Sequence, residues 1–206
     1  MRTAANVFLV DDQPAVLKSL TRLLTAAGYA VQPYQTAQAF LDSGNAGAEG
    51  CLVLDMSMPE MNGLALQQAL AQRASLLPII FLTGHGDLDS GIRAMKLGAA
   101  DFLTKPVDDS RLIAAIEQAL QRNRQLRADD AERAELNERL HSLTPREVEV
   151  MNLVIEGLLN KQIAAQLGTV EKTVKVHRAR VMTKMQVRSV TALVRLVDRL
   201  RAGPPP

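Results

Sequence analysis

Over the first 120 residues, short apolar runs alternate with amphipathic stretches. NVFLV at 6–10, CLVLD at 51–55, PIIFLT at 78–83 and DFLTKP at 101–106 stand out, with a weaker YAVQPY at 29–34. Most are continuous rather than alternating, the pattern of strands covered on both faces. Between them lie helical spacings: Val16, Leu17, Leu20, Leu23 and Leu24, closed by Gly28; then Leu64, Leu66 and Leu70; then Ile92, Met95 and Leu97. Strand–helix alternation predicts βαβ units, so the first part is expected to be an α/β, doubly wound domain on a mostly parallel five-stranded sheet.

Beyond residue 107 the pattern changes. No Gly or Pro occurs from 107 to 144, and an apolar stripe of Leu112, Ile113, Ile116 and Leu120 thins to Leu126, Leu136 and Leu140 among many charges. We read the last helix of the first domain as running on into a helical linker, with a possible break at Asp129–Asp130; a short coiled coil fits less well, because the heptad seam is poor. Thr144-Pro145-Arg146-Glu147 then forms a capping-box signature with Pro in the first turn, and Leu143 and Val148 are spaced as a hydrophobic staple. One helix carries Val148, Met151, Val154 and Ile155 and ends near Gly157. Asn160 is expected to cap a second helix, closed by Gly168, and Thr169 a third, with Glu171 in its first turn. Val190, Leu193, Val194 and Val197 mark a fourth. The expected division is therefore 1–124 as the α/β domain, 125–141 as linker, 142–201 as an all-α helical domain, and 202–206 (AGPPP) as a disordered tail.

Composition sharpens this outline. Hydrophobic residues make up 47% of the chain but aromatics only 3%, so the cores must be aliphatic. The single cysteine, Cys51, opens an apolar run and reads as a buried, inert thiol; no intrachain disulfide can form. No apolar stretch is long enough to cross a bilayer and the N-terminus lacks a secretory pattern, so the expected location is the cytoplasm, away from membranes. The net charge of +2 hides an asymmetry: residues 1–120 carry a net −4, residues 121–140 balance, and residues 141–206 carry +6. A basic last third on an acidic body points to an anionic partner for that third, a solvated basic surface being the plainer alternative.

In an open parallel sheet, ligands bind beyond the carboxyl ends of the strands. Asp11 and Asp12 follow the first run, Asp55 ends the third, Thr83 and Gly84 end the fourth, and Lys105-Pro106 follow the fifth. Crowded carboxylates repel one another, and a hard divalent cation such as Mg2+ resolves the conflict with Asp11 or Asp12, Asp55 and a backbone carbonyl near Ser57 as ligands. Phosphoryl transfer needs mainly positioning and charge stabilisation. Asp55 is the expected nucleophile, with Lys105 pairing one phosphoryl oxygen and Thr83 hydrogen-bonding another. The MPEMNG loop after Asp55 has no evident core-packing purpose and is counted with the site.

With those residues in place, 1–125 resembles the receiver domain of a two-component response regulator, on Val10-Asp11-Asp12, Leu54-Asp55, Met58-Pro59-Glu60-Met61-Asn62-Gly63, Thr83-Gly84 and Lys105-Pro106. The resemblance implies a flavodoxin-like strand order of 2-1-3-4-5, Mg2+ at the acids, a sensor histidine kinase as phosphodonor, and a cis Lys105-Pro106 bond. It also implies a switch in which Thr83 moves to the phosphate and Phe102 fills the space left, Phe102 being otherwise an ordinary core residue. The face around Asp89–Leu97, Phe102 and Leu112–Leu120 would then pair two copies. His85 would tune the phosphate or simply lie in a partly exposed loop.

Residues 142–200 resemble the LuxR-type helix-turn-helix, on Leu143-Thr144-Pro145-Arg146-Glu147, Asn160-Lys161-Gln162-Ile163-Ala164 and Thr173-Val174-Lys175-Val176-His177; with the receiver this gives the NarL/FixJ class of response regulators. The implied partner is double-stranded DNA. Lys175 and Val176 are expected at base edges, with Arg178 or Ala179 next, and Lys161, Thr169, Thr173 and His177 at phosphates or sugars. Val174 and Val181 are expected to pack inward, and the fourth helix either closes the small core or pairs copies on DNA. The expected function is a transcription factor in which phosphorylated Asp55 promotes homodimerisation and sequence-specific DNA binding, with RNA polymerase as a further partner. The alternative is a receiver with an RNA-binding or protein-interaction output. No nucleophile–base pair, P-loop or HExxH accompanies these motifs, so no separate enzymatic activity is expected.

Overall fold

The computed structural model describes residues 4–84 and 88–201. His85 and the expected disordered tail 202–206 lie outside the described residues. The chain divides into two compact units, Met1–Ala128 and Asp129–Pro206.

In the first unit five strands form one sheet: β1 (Asn6–Val10), β2 (Ala30–Tyr34), β3 (Cys51–Asp55), β4 (Ile79–Thr83) and β5 (Asp101–Thr104). They are parallel and ordered β2-β1-β3-β4-β5. The continuous apolar runs have their explanation in the two cores. Phe8, Val10, Leu52, Leu54 and Phe81 point to one face, against α2 (Ala37–Asp42), α3 (Gly63–Gln72) and α4 (Leu88–Lys96). Val7, Leu9, Cys51, Val53, Ile80, Leu82 and Leu103 point to the other, against α1 (Pro14–Ala26) and α5 (Asp109–His141). Each strand alternates between two apolar layers, as a doubly wound sheet requires. Cys51 is fully buried, and desolvation pushes its thiol up to about 12, where it stays a neutral packing group.

One element of this unit was not expected. The six-residue α2 has no long periodic stripe; the Thr36 side chain starts it by accepting from the Ala39 amide. On and just after α4, Ile92, Met95 and Leu97 are about half exposed, at 47, 46 and 51%. Among the described side chains of this helix the buried positions are the small Gly91 and Ala94, and Ile92 and Met95 lie outward, one turn apart.

Helix α5 is unbroken for 33 residues, with no interruption at Asp129–Asp130. Asn123, fully buried, accepts from the Gly50 amide at 3.1 Å and donates to the Leu76 carbonyl at 2.7 Å. Arg127 reaches the carbonyls of Gly47 and Ala48. Residues 129–141, expected as linker, group instead with the second unit. There Leu136 is buried, Leu140 packs on the helical core, and Glu132 pairs with Arg199 at 2.7 Å.

The second unit continues with α6 (Pro145–Ile155), α7 (Asn160–Gln166), α8 (Glu171–Lys184) and α9 (Val190–Arg201) around Val150, Met151, Val154, Ile163, Val174, Val181, Met185, Leu193 and Val197. The capping box at Thr144 and Glu147 is present in both directions. Two expected caps are displaced by one residue. The N-cap of α7 is Leu159, whose amide is satisfied by the Gln162 side chain at 2.7 Å; Asn160 lies in the first turn and accepts from Arg178 at 3.0 Å. The N-cap of α8 is Val170, not Thr169.

Glu147 does more than cap. Only 2% exposed, its Oε2 accepts from the Thr144 amide at 2.8 Å and from Lys184 Nζ at 2.6 Å, tying the start of α6 to the end of α8. The Lys184 hydrogen bond, then that of the Thr144 amide, hold the carboxyl down at about 2. A folded-state pKa below the ordinary ~4.3 gives stability that is fully present above the unfolded value and disappears as pH falls through the folded one. The second unit should therefore weaken between about pH 4.5 and 2, and Glu147→Gln should be less stable at pH 7 but flatter across that window. Amide exchange of Val150–Val154 reads this directly; a pH dependence equal to wild type would exclude Glu147 as its source.

Candidate functional site

The register brings the strand ends level. Val10 pairs with Leu54, Asp55 with Leu82 and Thr83 with Thr104, so Asp11, Asp55, Thr83 and Lys105 emerge along one edge of the sheet. Asp11 is 2% exposed and Asp55 4%. Carboxylate oxygens of Asp11, Asp12 and Asp55 lie within 4.8 Å of one another. The Lys105 ammonium sits between two of them, 2.7 Å from Asp11 Oδ2 and 3.1 Å from Asp55 Oδ2. Asp11 Oδ1 accepts from the Gln13 amide at 2.9 Å, and Asp55 Oδ1 from the Ser57 amide at 3.4 Å. The Lys105-Pro106 bond is cis.

Burial raises the pKa of Asp55; hydrogen bonding and charge from Lys105 oppose the rise, and Asp11 adds to it. Burial depresses Lys105, but its hydrogen bonds to Asp11 and Asp55 outweigh this and leave it raised. One ammonium thus stands against three clustered carboxylates and pairs with two of them, and Asp12 Oδ1 is buried with no hydrogen-bond partner. A divalent cation fits this donor set: hard oxygens, excess negative charge and an unsatisfied carboxylate oxygen already turned inward.

The remaining expected residues fall as follows. Thr83 is 1% exposed and its hydroxyl donates to the Gly84 carbonyl at 3.3 Å rather than to the acids. Phe102, on β5, is half-buried against α4, and its amide donates to the Asp101 carboxylate at 2.7 Å. The loop after Asp55 proves to have packing reasons of its own, contrary to expectation. Met58 is 9% exposed, the Asn62 side chain caps α3 at the Ala65 amide, and a side chain at Gly63 would place Cβ 2.6 Å from the Asp55 carbonyl. Gly63 therefore lets α3 begin against the strand that carries Asp55.

In the second unit, α7 and α8 form the helix-turn-helix, joined through Gly168 at φ +62°. Val174 and Val181 face inward, as expected. The outward face of α8 carries Lys172, Lys175, Val176, Ala179, Arg180 and Thr183, all exposed. Lys175 makes an exposed ion pair with Glu171 at 3.1 Å. Thr173 and His177 lie half-buried on one flank and Arg178 on the other, held by Asn160. Lys161 is exposed near the start of α7, and Thr169 is half-buried in the turn. Lys184 belongs to the Glu147 pair. Lys172 and Arg180 point outward with Lys175.

Comparison with known proteins agrees with both halves. A family model described as the response regulator receiver domain matches residues 7–117, and one for bacterial regulatory proteins of the luxR family matches residues 141–197. The chain is 43% identical to the response regulator protein TodT of Pseudomonas putida over 198 residues, 96% of this chain and 87% of that one. It is 44% identical to the transcriptional regulatory protein FixJ of Azorhizobium caulinodans over 206 residues, 100% of this chain and 97% of that one. A low-resolution structure of the response regulator StyR superposes with a TM-score of 0.87 at 45% identity, covering 96% of this chain and 100% of the other. Receiver, helix-turn-helix and full-length relatives together place the chain in the family of DNA-binding response regulators, transcription factors that join a receiver domain to a LuxR-type helix-turn-helix.

Proposed function

We propose that a sensor histidine kinase transfers a phosphoryl group to Asp55, and that this promotes pairing of two copies and sequence-specific binding of duplex DNA through α8. The observation that carries the reading is the convergence of Asp11, Asp12 and Asp55 within 4.8 Å with Lys105 between them. An Asp55 carboxylate oxygen attacks phosphorus in line, the bond to the donor histidine nitrogen breaks, and an acyl phosphate forms. Asp11, Asp12 and Asp55, with the Ser57 carbonyl, would hold Mg2+, which when bound supplies positive charge to the phosphoryl oxygens. Lys105, 3.1 Å from Asp55 Oδ2, is within a short side-chain movement of a phosphoryl oxygen. The Thr83 hydroxyl exchanges the Gly84 carbonyl for another, and Phe102 moves into the space released. Turnover of a separate substrate is not part of this chemistry.

The half-exposed Ile92 and Met95, one turn apart beside Phe102, support α4 and β5 as the pairing face, since exposed apolar patches mark interaction surfaces. On DNA, Lys175 and Val176 take base edges, with Ala179 beside them; Arg178, engaged by Asn160, fits that role less well. Lys161, Thr169, Thr173 and His177 take phosphates or sugars, and Lys172 and Arg180 join them. The setting is cytoplasmic, where RNA polymerase is a further partner; among the described residues no helix is long and apolar enough to cross a membrane. Sedimentation with a small-molecule phosphodonor and Mg2+ tests the pairing. A shift from monomer to dimer is expected, and an unchanged profile of fully phosphorylated protein would refute it.

A further inference from the structure

A glycine stands where α4 has no backbone need for one. Gly91 lies inside the helix, is buried, and has no left-handed φ that would exclude a side chain. Glycine inside a helix is destabilising relative to alanine, so its presence calls for a local reason. That reason is the Phe102 ring. A Cβ added at Gly91 would lie 2.5 Å from Cε2, 2.7 Å from Cζ and 2.8 Å from Cδ2 of Phe102. These are distances no carbon pair tolerates, so either the ring or the helix would have to shift. The same two residues border an open apolar groove of about 440 Å³ with Ile92, Met95 and Lys96.

We infer that Gly91 is a positioning residue: its missing side chain is the seat of the Phe102 ring, and the seated ring favours the arrangement in which the Thr83 hydroxyl is turned to the Gly84 carbonyl. The inference rests on the proposed role of Phe102 in the switch and adds a residue that sets its balance. The proposed switch needs Phe102 to move into the space that Thr83 releases, and a ring held under α4 is kept from that move while Ile92 and Met95 keep their present spacing over the groove. Filling the seat removes the contact that holds the ring. The arrangement with Thr83 moved to the phosphate then loses its competitor, while the acids, Lys105 and Thr83 itself are untouched. The groove wall changes at the same time, which couples the position of one ring to the shape of the pairing face.

The test is a double-mutant cycle on the full chain with Gly91→Ala, Phe102→Leu and the double variant. In the Phe102→Leu background, where no ring fills the seat, Gly91→Ala should raise the urea midpoint, as alanine does in an unobstructed helix. In the wild-type background that gain should vanish or reverse. Gly91→Ala should also increase the dimer fraction at limiting phosphodonor by severalfold in sedimentation. Equal effects of Gly91→Ala in both backgrounds would overturn the seat. An unchanged or smaller dimer fraction would overturn its link to the switch. Failure of wild type to dimerise when fully phosphorylated is a separate result: it would refute pairing through phosphorylation and leave the stability cycle to decide the seat.

Discussion

Asp55→Asn is expected to bring phosphodonor labelling down to background, a loss on the order of a hundredfold or more, because the amide is not a nucleophile that can form an acyl phosphate. The substitution is nearly isosteric, so the loss does not require unfolding. Lys105 keeps its closer partner, Asp11 at 2.7 Å, and the Asp11 contacts to the Gln13 amide and Lys105 do not involve Asp55. Burial is the main influence on the Asp55 carboxyl, and it disfavours the charged form. A neutral amide escapes that penalty and also removes one of three mutually repelling charges. Asp55→Asn should therefore melt at or above the wild-type temperature while failing to label. That combination separates a lost nucleophile from a damaged fold. Labelling that persisted, with the phosphoryl mass mapped to a peptide containing Asp11 or Asp12, would move the acceptor to the end of β1 and sink the assignment.

Much of that site could be read from the sequence because strand ends announce themselves. A continuous apolar run that stops at Asp11, Asp55 or Thr83 fixes both the element and its polar terminus, and parallel βαβ geometry then places all the termini on one edge. The run thus carries position as well as burial. What the sequence could not show was how the polar atoms divide among themselves. Lys105 bridges Asp11 and Asp55, Asp12 keeps an unsatisfied oxygen, and Thr83 turns to Gly84. Each is a choice between partners within a few ångströms, and spacing along the chain does not rank them.

Helix faces were harder than strands. Around α4, Ile92, Met95 and Leu97 have helical spacing, but so do Gly91 and Ala94, and it is those small residues that are buried. Periodicity reports amphipathicity; it does not say which of two weakly apolar faces meets the sheet. The caps of α7 and α8 erred by one residue because Asn160 and Thr169 carry good capping side chains, yet Leu159 and Val170 hold the N-cap positions. At Leu159 the Gln162 side chain supplies the missing acceptor from inside the helix. Asn123 gave no signal at all: a lone polar residue in a charged helix looks solvated until the amide of Gly50 and the carbonyl of Leu76 are known to face it.

Neighbouring residues on α8 should show the largest contrast in the second unit. Val174 is fully buried and Val176 is 45% exposed, two positions apart. Val174→Ala removes packed methyl groups and should destabilise the unit by about 2 kcal/mol. Val176→Ala should leave stability within ~0.5 kcal/mol, since it removes little buried surface, yet weaken specific DNA binding, because with α8 in the groove as proposed its exposed methyl groups are suited to thymine methyls. Lys175→Ala should cost roughly tenfold or more in affinity for a specific site, a base-edge contact being worth ~1–3 kcal/mol. Its ion pair with Glu171 is exposed at both ends and holds it only weakly, so the side chain is free to leave for DNA. Lys172→Ala and Arg180→Ala should behave differently: binding falls by a similar factor on specific and non-specific duplexes, and the salt dependence drops by about one counterion each. Titrations of all four variants at two salt concentrations separate the classes. If Lys175→Ala lost specific and non-specific binding equally, with a smaller salt slope, Lys175 would be a phosphate contact, and the base-reading face of α8 would shift towards Val176 and Ala179.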